Sequence, residues 1–323
     1  MIDSKIIIVG GGPAGSACAW KLKQAEEQIL ILDRKPFPRS KLCAGWINPK
    51  ALNAIDFKKQ EYPFLLHPVD RIHFYLFGVH IPVQTRQYAI RRVEFDDWMV
   101  KRANVPVHTH TVKKIIKKNG FYIIDNQYRC QYLVGAGGTH CPVFRVFFSK
   151  DEKRPMKSMI AAVEQEYVCD YQDSRCHIWF FDKKLPGYSW YLPKGNGWLN
   201  IGIGGKFLKM KKQGTTIMDH WRYFTQKLLR LSLINKIPET PKGHTYYLRH
   251  RMNQCQKDNV FVIGDAAGLS TLDMGEGIHA AIAGGILAAK AIVEKKEFRV
   301  ESLGKFSLPG MIFQNKRSLN DFF

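Results

Sequence analysis

The chain has 323 residues, 45% hydrophobic and 24% charged, the balance of an ordinary globular protein with a substantial core. Lys and Arg number 49 against 28 Asp and Glu, and the resulting charge of +21 would attract anionic membrane surfaces, acidic proteins or nucleic acid. No nucleic-acid motif accompanies that charge, no apolar run reaches the roughly 18 residues of a bilayer span, and the N-terminus lacks a secretory signal pattern.

A length prior of roughly 150 residues per domain suggests two lobes. The cysteines Cys18, Cys43, Cys130, Cys141, Cys169, Cys176 and Cys255 are scattered, odd in number and form no CxxC pair. That pattern suits reduced thiols in the cytoplasm and gives no support to a metal centre.

In chain order, residues 5–9 read as a buried strand, 10–15 as a turn, 16–23 as a helix and 28–32 as a second buried strand, a βαβ opening. Residues 111–116, 121–124 and 128–134 read as short strands, with Asn119-Gly120 as a hairpin turn. From 156 to 204 the texture turns β-rich and aromatic, which fits either a sheet core or the wall of a cavity. Residues 215–233 have helical periodicity, with Trp221, Phe224, Leu228 and Leu231 on one face. That face could pack on its own core or lie at a membrane interface. Residues 260–263 read as a last buried strand, followed by a Gly/Ala-rich helix over 277–294.

The stretch Gly10-Gly11-Gly12-Pro13-Ala14-Gly15 matches GxGxxG between strand and helix. Its glycines permit close backbone approach, and the helix start offers free N–H groups to a pyrophosphate. Asp33, at the end of the second strand, is spaced to accept hydrogen bonds from a ribose. A second turn, Gly264-Asp265, follows the last buried strand, and Gly275-Glu276-Gly277-Ile278 leads into the final helix. That helix start is a positive dipole end suited to the ring edge where a reduced flavin gathers negative charge.

These segments, together with Arg92-Val93-Glu94-Phe95-Asp96 and Gly135-Ala136-Gly137-Gly138, resemble the FAD fold of the p-hydroxybenzoate hydroxylase type. More narrowly, the 38–45 segment ending Cys43-Ala44-Gly45, and Tyr188-Ser189-Trp190-Tyr191-Leu192-Pro193 with Gly202-Ile203-Gly204 behind it, resemble the geranylgeranyl reductase family. That family carries YxWxFP followed by GxG at its lipid site.

The resemblance implies FAD contacts at Gly10, Gly12, Pro13, Ala14, Gly15, Asp33, Arg34, Cys43, Ala44, Gly45, Arg92, Val112, Gly264, Asp265, Gly275, Gly277 and Ile278. It implies substrate contacts at Tyr188, Trp190, Pro193, Trp198, Gly202 and Gly204, with Phe180 as a further wall and Cys43 as a proton donor or a small buried residue. Arg92 would serve the pyrophosphate or be a surface arginine.

The expected fold is α/β: a Rossmann-like FAD-binding domain (1–58, 88–150, 251–296) interleaved with a smaller antiparallel-sheet substrate domain (59–87, 151–250) and a short C-terminal tail (297–323). The expected activity is reduction of carbon–carbon double bonds in a prenyl-type lipid. The alternatives are a flavin-dependent monooxygenase or halogenase of the same fold, since Trp190 and Pro193 partly fit GWxWxIP, and a noncatalytic flavin- and lipid-binding protein.

The family's GADG acid is replaced by Gly137, and no second GxGxxG exists. Direct reduction by NADPH is therefore not expected, and an acidic electron-donor protein is a candidate partner. A cytoplasmic location is expected from the absent span and signal patterns, and the charge together with a lipid substrate suggests a place peripheral to the inner face of the membrane; no nucleic acid and no metal are expected.

Overall fold

The computed structural model describes residues 1–252 and 254–312, so 313–323 of the expected tail lies outside the described residues. Its first sheet has six strands in the order Gln256–Lys257, Val260–Val262, Tyr132–Gly135, Ile6–Val9, Ile29–Asp33 and Val107–Thr109. All pairs are parallel except the Gln256–Lys257 edge. Ile6, Ile7, Ile8, Leu32 and Val262 are buried, as strands covered on both faces must be.

Helix Pro13–Lys23 packs on helix Ile278–Glu294 through small residues. A Cβ on Gly285 would stand 2.3 Å from the Ala14 carbonyl oxygen. The Gly/Ala-rich composition of the last long helix is thus a packing device that brings two backbones together. The first helix begins at Pro13 rather than at 16, because proline's fixed φ and missing N–H suit a first turn.

Two strand expectations shift for local reasons. Residues 111–114 are not strand: the Asp125 carboxylate accepts hydrogen bonds from the backbone N–H of Lys113 (3.1 Å) and Lys114 (2.7 Å), and the strand runs over Ile115–Lys118 instead. The 128–134 segment divides into Tyr128–Cys130, in a small four-stranded sheet, and Tyr132–Gly135, in the parallel sheet. At the crossing, the N–H groups of Gln131 and Tyr132 both donate to the Lys5 carbonyl.

The second lobe is built on eight strands in the order Lys242–Tyr247, Met159–Val168, Trp198–Lys206, Gly187–Pro193, Cys176–Phe180, His67–Leu76, Val79–Ala89 and Trp46–Ile47. Among the described residues this is the largest sheet, and it holds one parallel pair, Cys176–Phe180 with His67–Leu76. Helix Ile217–Arg230, capped by the Thr216/Asp219 box, covers one of its faces. Trp221, Phe224 and Leu228 pack there on Trp179, Tyr191, Leu199, Ile201 and Ile203. The amphipathic periodicity of that helix therefore serves the core, and the sheet's other face turns toward the parallel sheet.

Candidate functional site

Between the two sheets lies a cavity of about 1610 Å³, larger than the roughly 300–1,000 Å³ of common small-ligand pockets. Its first end is the glycine turn. Gly10 has φ +109, and a Cβ there would meet the Ala136 carbonyl oxygen at 2.4 Å, so only glycine lets these two loops touch. A Cβ on Gly15 would lie 1.9 Å from the Gly10 carbonyl oxygen, which fixes the helix against the turn. Helix Pro13–Lys23 has no side-chain cap and no acid in its first turn, so its leading N–H groups stay available to an anion.

Beside this turn, Asp33 accepts from the Gly11 N–H (2.8 Å) and the Lys35 N–H (3.1 Å), and Arg39 donates to it at 3.1 Å. Arg39 also lies 3.6 Å from Asp96, and its buried Nε has no partner. Arg92 lines the cavity, but its Nε and Nη2 are spent on Asp96 at 2.7 and 2.9 Å. Burial opposes its charge, yet Asp96 and Cys43 hold its pKa above the usual arginine value. Arg39 is thus the cation that remains less fully committed beside Gly12. The sequence segment 38–45 contained it, but nothing local marked it.

The second end of the cavity is the face of the large sheet opposite helix Ile217–Arg230. Tyr188 pairs with Gly204 and Trp190 with Gly202 across neighbouring antiparallel strands. Residues two apart share a face, so both aromatic side chains and both glycines lie on the cavity side, and the Trp190 ring reaches over both glycines. A Cβ on Gly202 would stand 2.1 Å from the Trp190 ring, and the glycine is the space in which that ring lies. Tyr188 donates its hydroxyl to the Met274 carbonyl (2.6 Å), and Trp190 its indole N–H to Asn200 (2.7 Å). With their polar ends satisfied, the two rings present carbon to the cavity.

Glu164 stands on the same sheet face, one strand further across, directly opposite Gly202. It is only 4% exposed, lines the cavity, and accepts from the Cys43 N–H at 2.6 Å through Oε1. Its Oε2 is buried with no partner. Burial raises its pKa to about 7, against the opposing pull of Lys194, so in a large share of molecules this carboxyl keeps a proton near pH 7. Glu276 is likewise raised by burial to about 7, with its carboxylate accepting from the His279 N–H at the start of helix Ile278–Glu294. His244, whose Nδ1 is buried and unpartnered, is lowered by burial to about 4 and stays neutral.

Of the residues named from sequence, Gly10, Gly12, Pro13, Ala14, Asp33, Arg34, Cys43, Ala44, Gly45, Arg92, Val112, Gly264, Asp265, Gly275, Gly277 and Ile278 all line this one cavity. So do Phe180, Tyr188, Trp190 and Gly204. Gly15 and Gly202 stand one layer behind, as spacers. Pro193 and Trp198 are not among the lining residues, and the Trp198 ring is covered by the Arg91 guanidinium at 3.4 Å. Missed from sequence were Glu164, Glu276, His244 and Tyr246, and also Leu308 and Met311 of the C-terminal segment, which close part of the wall. An acid directly after the apolar run 159–163 was the available signal for Glu164.

The family of NAD(P)-binding Rossmann-like domains matches residues 8–41. A digeranylgeranylglycerophospholipid reductase of Methanopyrus kandleri is 23% identical, over 92% of this chain and 78% of its own length. The solved structure of a geranylgeranyl bacteriochlorophyll reductase-like protein from Thermoplasma acidophilum superposes with TM-score 0.78 at 21% identity, covering 91% of this chain and 79% of that one. A flavin-dependent brominase superposes with TM-score 0.74 at 18% identity, covering 92% and 81%. The chain is similar to geranylgeranyl reductase-like proteins and has the Rossmann-like FAD-binding fold of the flavin-dependent oxidoreductases; the brominase likeness speaks to fold alone.

Proposed function

We propose that this FAD-dependent oxidoreductase reduces carbon–carbon double bonds in a prenyl-type lipid. The observation that carries the reading is the continuity of one cavity, running from the glycine turn to the Tyr188–Trp190 wall over Gly202 and Gly204. When bound and reduced, FAD supplies hydride at its N5 position.

The chain's own residues supply the rest. The free N–H groups in the first turn after Pro13 and the Arg39 guanidinium would hold the pyrophosphate, and Asp33 would hold the ribose. Cys43, Ala44 and Gly45 line the wall between this cradle and the large sheet, with the Gly45 N–H donating to the Cys43 sulfur (3.4 Å). Glu164 Oε2 keeps a proton that the second carbon of the double bond requires. Tyr188, Trp190 and Phe180 exclude water and offer apolar faces along which an isoprenoid chain can lie. A basic surface without a second nucleotide turn suits an acidic protein as electron donor.

The test is an anaerobic titration of the reduced protein. Reoxidation of its flavin on addition of a polyprenyl lipid is expected. Turnover that requires oxygen and an aromatic substrate would instead favour the monooxygenase or halogenase chemistry.

A further inference from the structure

The hairpin joining His67–Leu76 to Val79–Ala89 turns on Phe77 and Gly78, at φ 49 and 83. Such a two-residue turn, with both φ values positive, favours Asn or Asp followed by Gly; a bulky aromatic at its first position is strained. Phe77 is also 81% exposed, so its ring is not held there by a core. Its ring stacks on Phe181 (centroids 5.8 Å apart), itself 47% exposed and at φ 56. Two aromatic residues in a costly backbone conformation thus meet outside the core, which neither folding nor solubility explains.

Their position supplies a reason. Phe181 lines the cavity along with its neighbours Leu76 and Phe180, so the stacked pair stands at a mouth of the proposed lipid site. Val79 and Ile81, 58% and 43% exposed, continue the apolar strip along Val79–Ala89. Among the described residues that strand's other edge has no strand partner here, because Trp46–Ile47 joins only at Ala89 and Tyr88. Lys183 and Lys184 are exposed next to Phe181, and Lys206 lines the cavity where helix Phe207–Lys212 begins with its exposed Lys209, Lys211 and Lys212. Met210 of that helix packs against Gly205 beside Leu185, which keeps both groups of lysines at the same end of the sheet. The one acid in the Phe181 turn, Asp182, is paired with Lys227.

We propose that this rim, with Phe77 and Phe181 at its tip, Val79 and Ile81 behind and lysines around it, docks the protein on an anionic lipid bilayer. Apolar side chains beside basic ones are what an interfacial membrane contact requires. The inference rests on the prenyl-lipid reading only for its purpose, a passage from bilayer to cavity that never exposes the substrate to water. It moves the membrane contact away from helix Ile217–Arg230, whose apolar face is buried on the sheet.

The experiment is flotation of the FAD-loaded full chain with phosphatidylcholine vesicles, with and without phosphatidylglycerol. Binding to the anionic vesicles, weakened by salt, is expected. Phe77→Asn with Val79→Thr should lower partitioning roughly tenfold or more, given the apolar area removed from the lipid. The asparagine suits the turn, so flavin content and melting temperature should hold. Lys183→Glu with Lys184→Glu should remove the preference for anionic vesicles.

Wild-type protein that ignores both vesicles, or F77N/V79T protein that floats as well as wild type, would overturn the proposal. So would a concentration-dependent dimer that F77N/V79T abolishes, which would assign the rim to a second copy of the chain. Reoxidation by detergent-dispersed prenyl lipid, measured in parallel, separates the two readings: intact turnover without docking removes the surface alone, and docking without turnover removes the reductase assignment alone.

Discussion

The glycine turn of the parallel sheet and the open face of the large sheet use the same residue for opposite ends. At Gly10 and Gly15 the missing side chain lets backbone touch backbone, while at Gly202 it makes room for the ring of Trp190. The first use shapes a polar cradle for a phosphate-bearing cofactor, and the second shapes an apolar wall. A site built for a flavin and a greasy substrate needs both, at its two ends.

Gly15→Ala should be the most damaging change, since its Cβ would meet the Gly10 carbonyl oxygen at 1.9 Å, a backbone atom that cannot swing aside, with the Ala136 Cβ at 3.2 Å. We expect a loss of at least about 4 kcal/mol, or failure to fold with flavin, read by denaturant unfolding and flavin content. Equal stability to wild type would remove the distinction between backbone and side-chain spacers.

Glu164 tests the seam between the two ends. Its pKa rises from 4.5 to about 7, so the folded state keeps a proton that the unfolded chain releases. Its contribution is fully present below the unfolded value and is lost as pH rises through about 7. Glu164→Gln should flatten the decline in stability between roughly pH 5 and 8 by up to about 3 kcal/mol, seen in urea midpoints. Glu276, shifted the same way, should leave a residual slope. An unchanged profile in E164Q would mean that the carboxyl is charged and holds no proton for the reaction.

Gly202→Ala is expected to cost about 2 kcal/mol through overpacking on the Trp190 ring. FAD should remain bound while lipid-dependent reoxidation falls. In the double variant with Trp190→Ala the cost should be less than additive, which a purely backbone role for Gly202 would not produce. Smallest is Arg39→Ala, expected to weaken FAD roughly tenfold, about 1.4 kcal/mol, in a fluorescence titration.

What the sequence revealed follows from distance along the chain. The glycine turn with Asp33 is local and could be read directly; Tyr188, Trp190, Gly202 and Gly204 were marked by the family resemblance, and strand pairing sets them on one face. Glu164 bonds the Cys43 backbone across 121 positions, and no spacing rule foretells that contact. Arg39 looked like any basic residue until folding set it between Asp33 and Asp96. The segment expected as a short tail supplies Leu308 and Met311 to the cavity wall because Asp273 accepts from the backbone N–H groups of Ser307 and Leu308 (2.9 and 2.7 Å). Residues 46–47 add an edge strand to the large sheet by pairing with Tyr88 and Ala89, a contact that no local pattern foretells.

The central claim is that one cavity delivers hydride to a prenyl double bond and a proton beside it. Its most direct test is a single anaerobic turnover in deuterated water, with the lipid product weighed by mass spectrometry. The account predicts a saturated bond carrying one deuterium at each carbon, one delivered as hydride and one as a proton by way of Glu164. A lipid recovered unchanged, with the flavin still reduced, would contradict it.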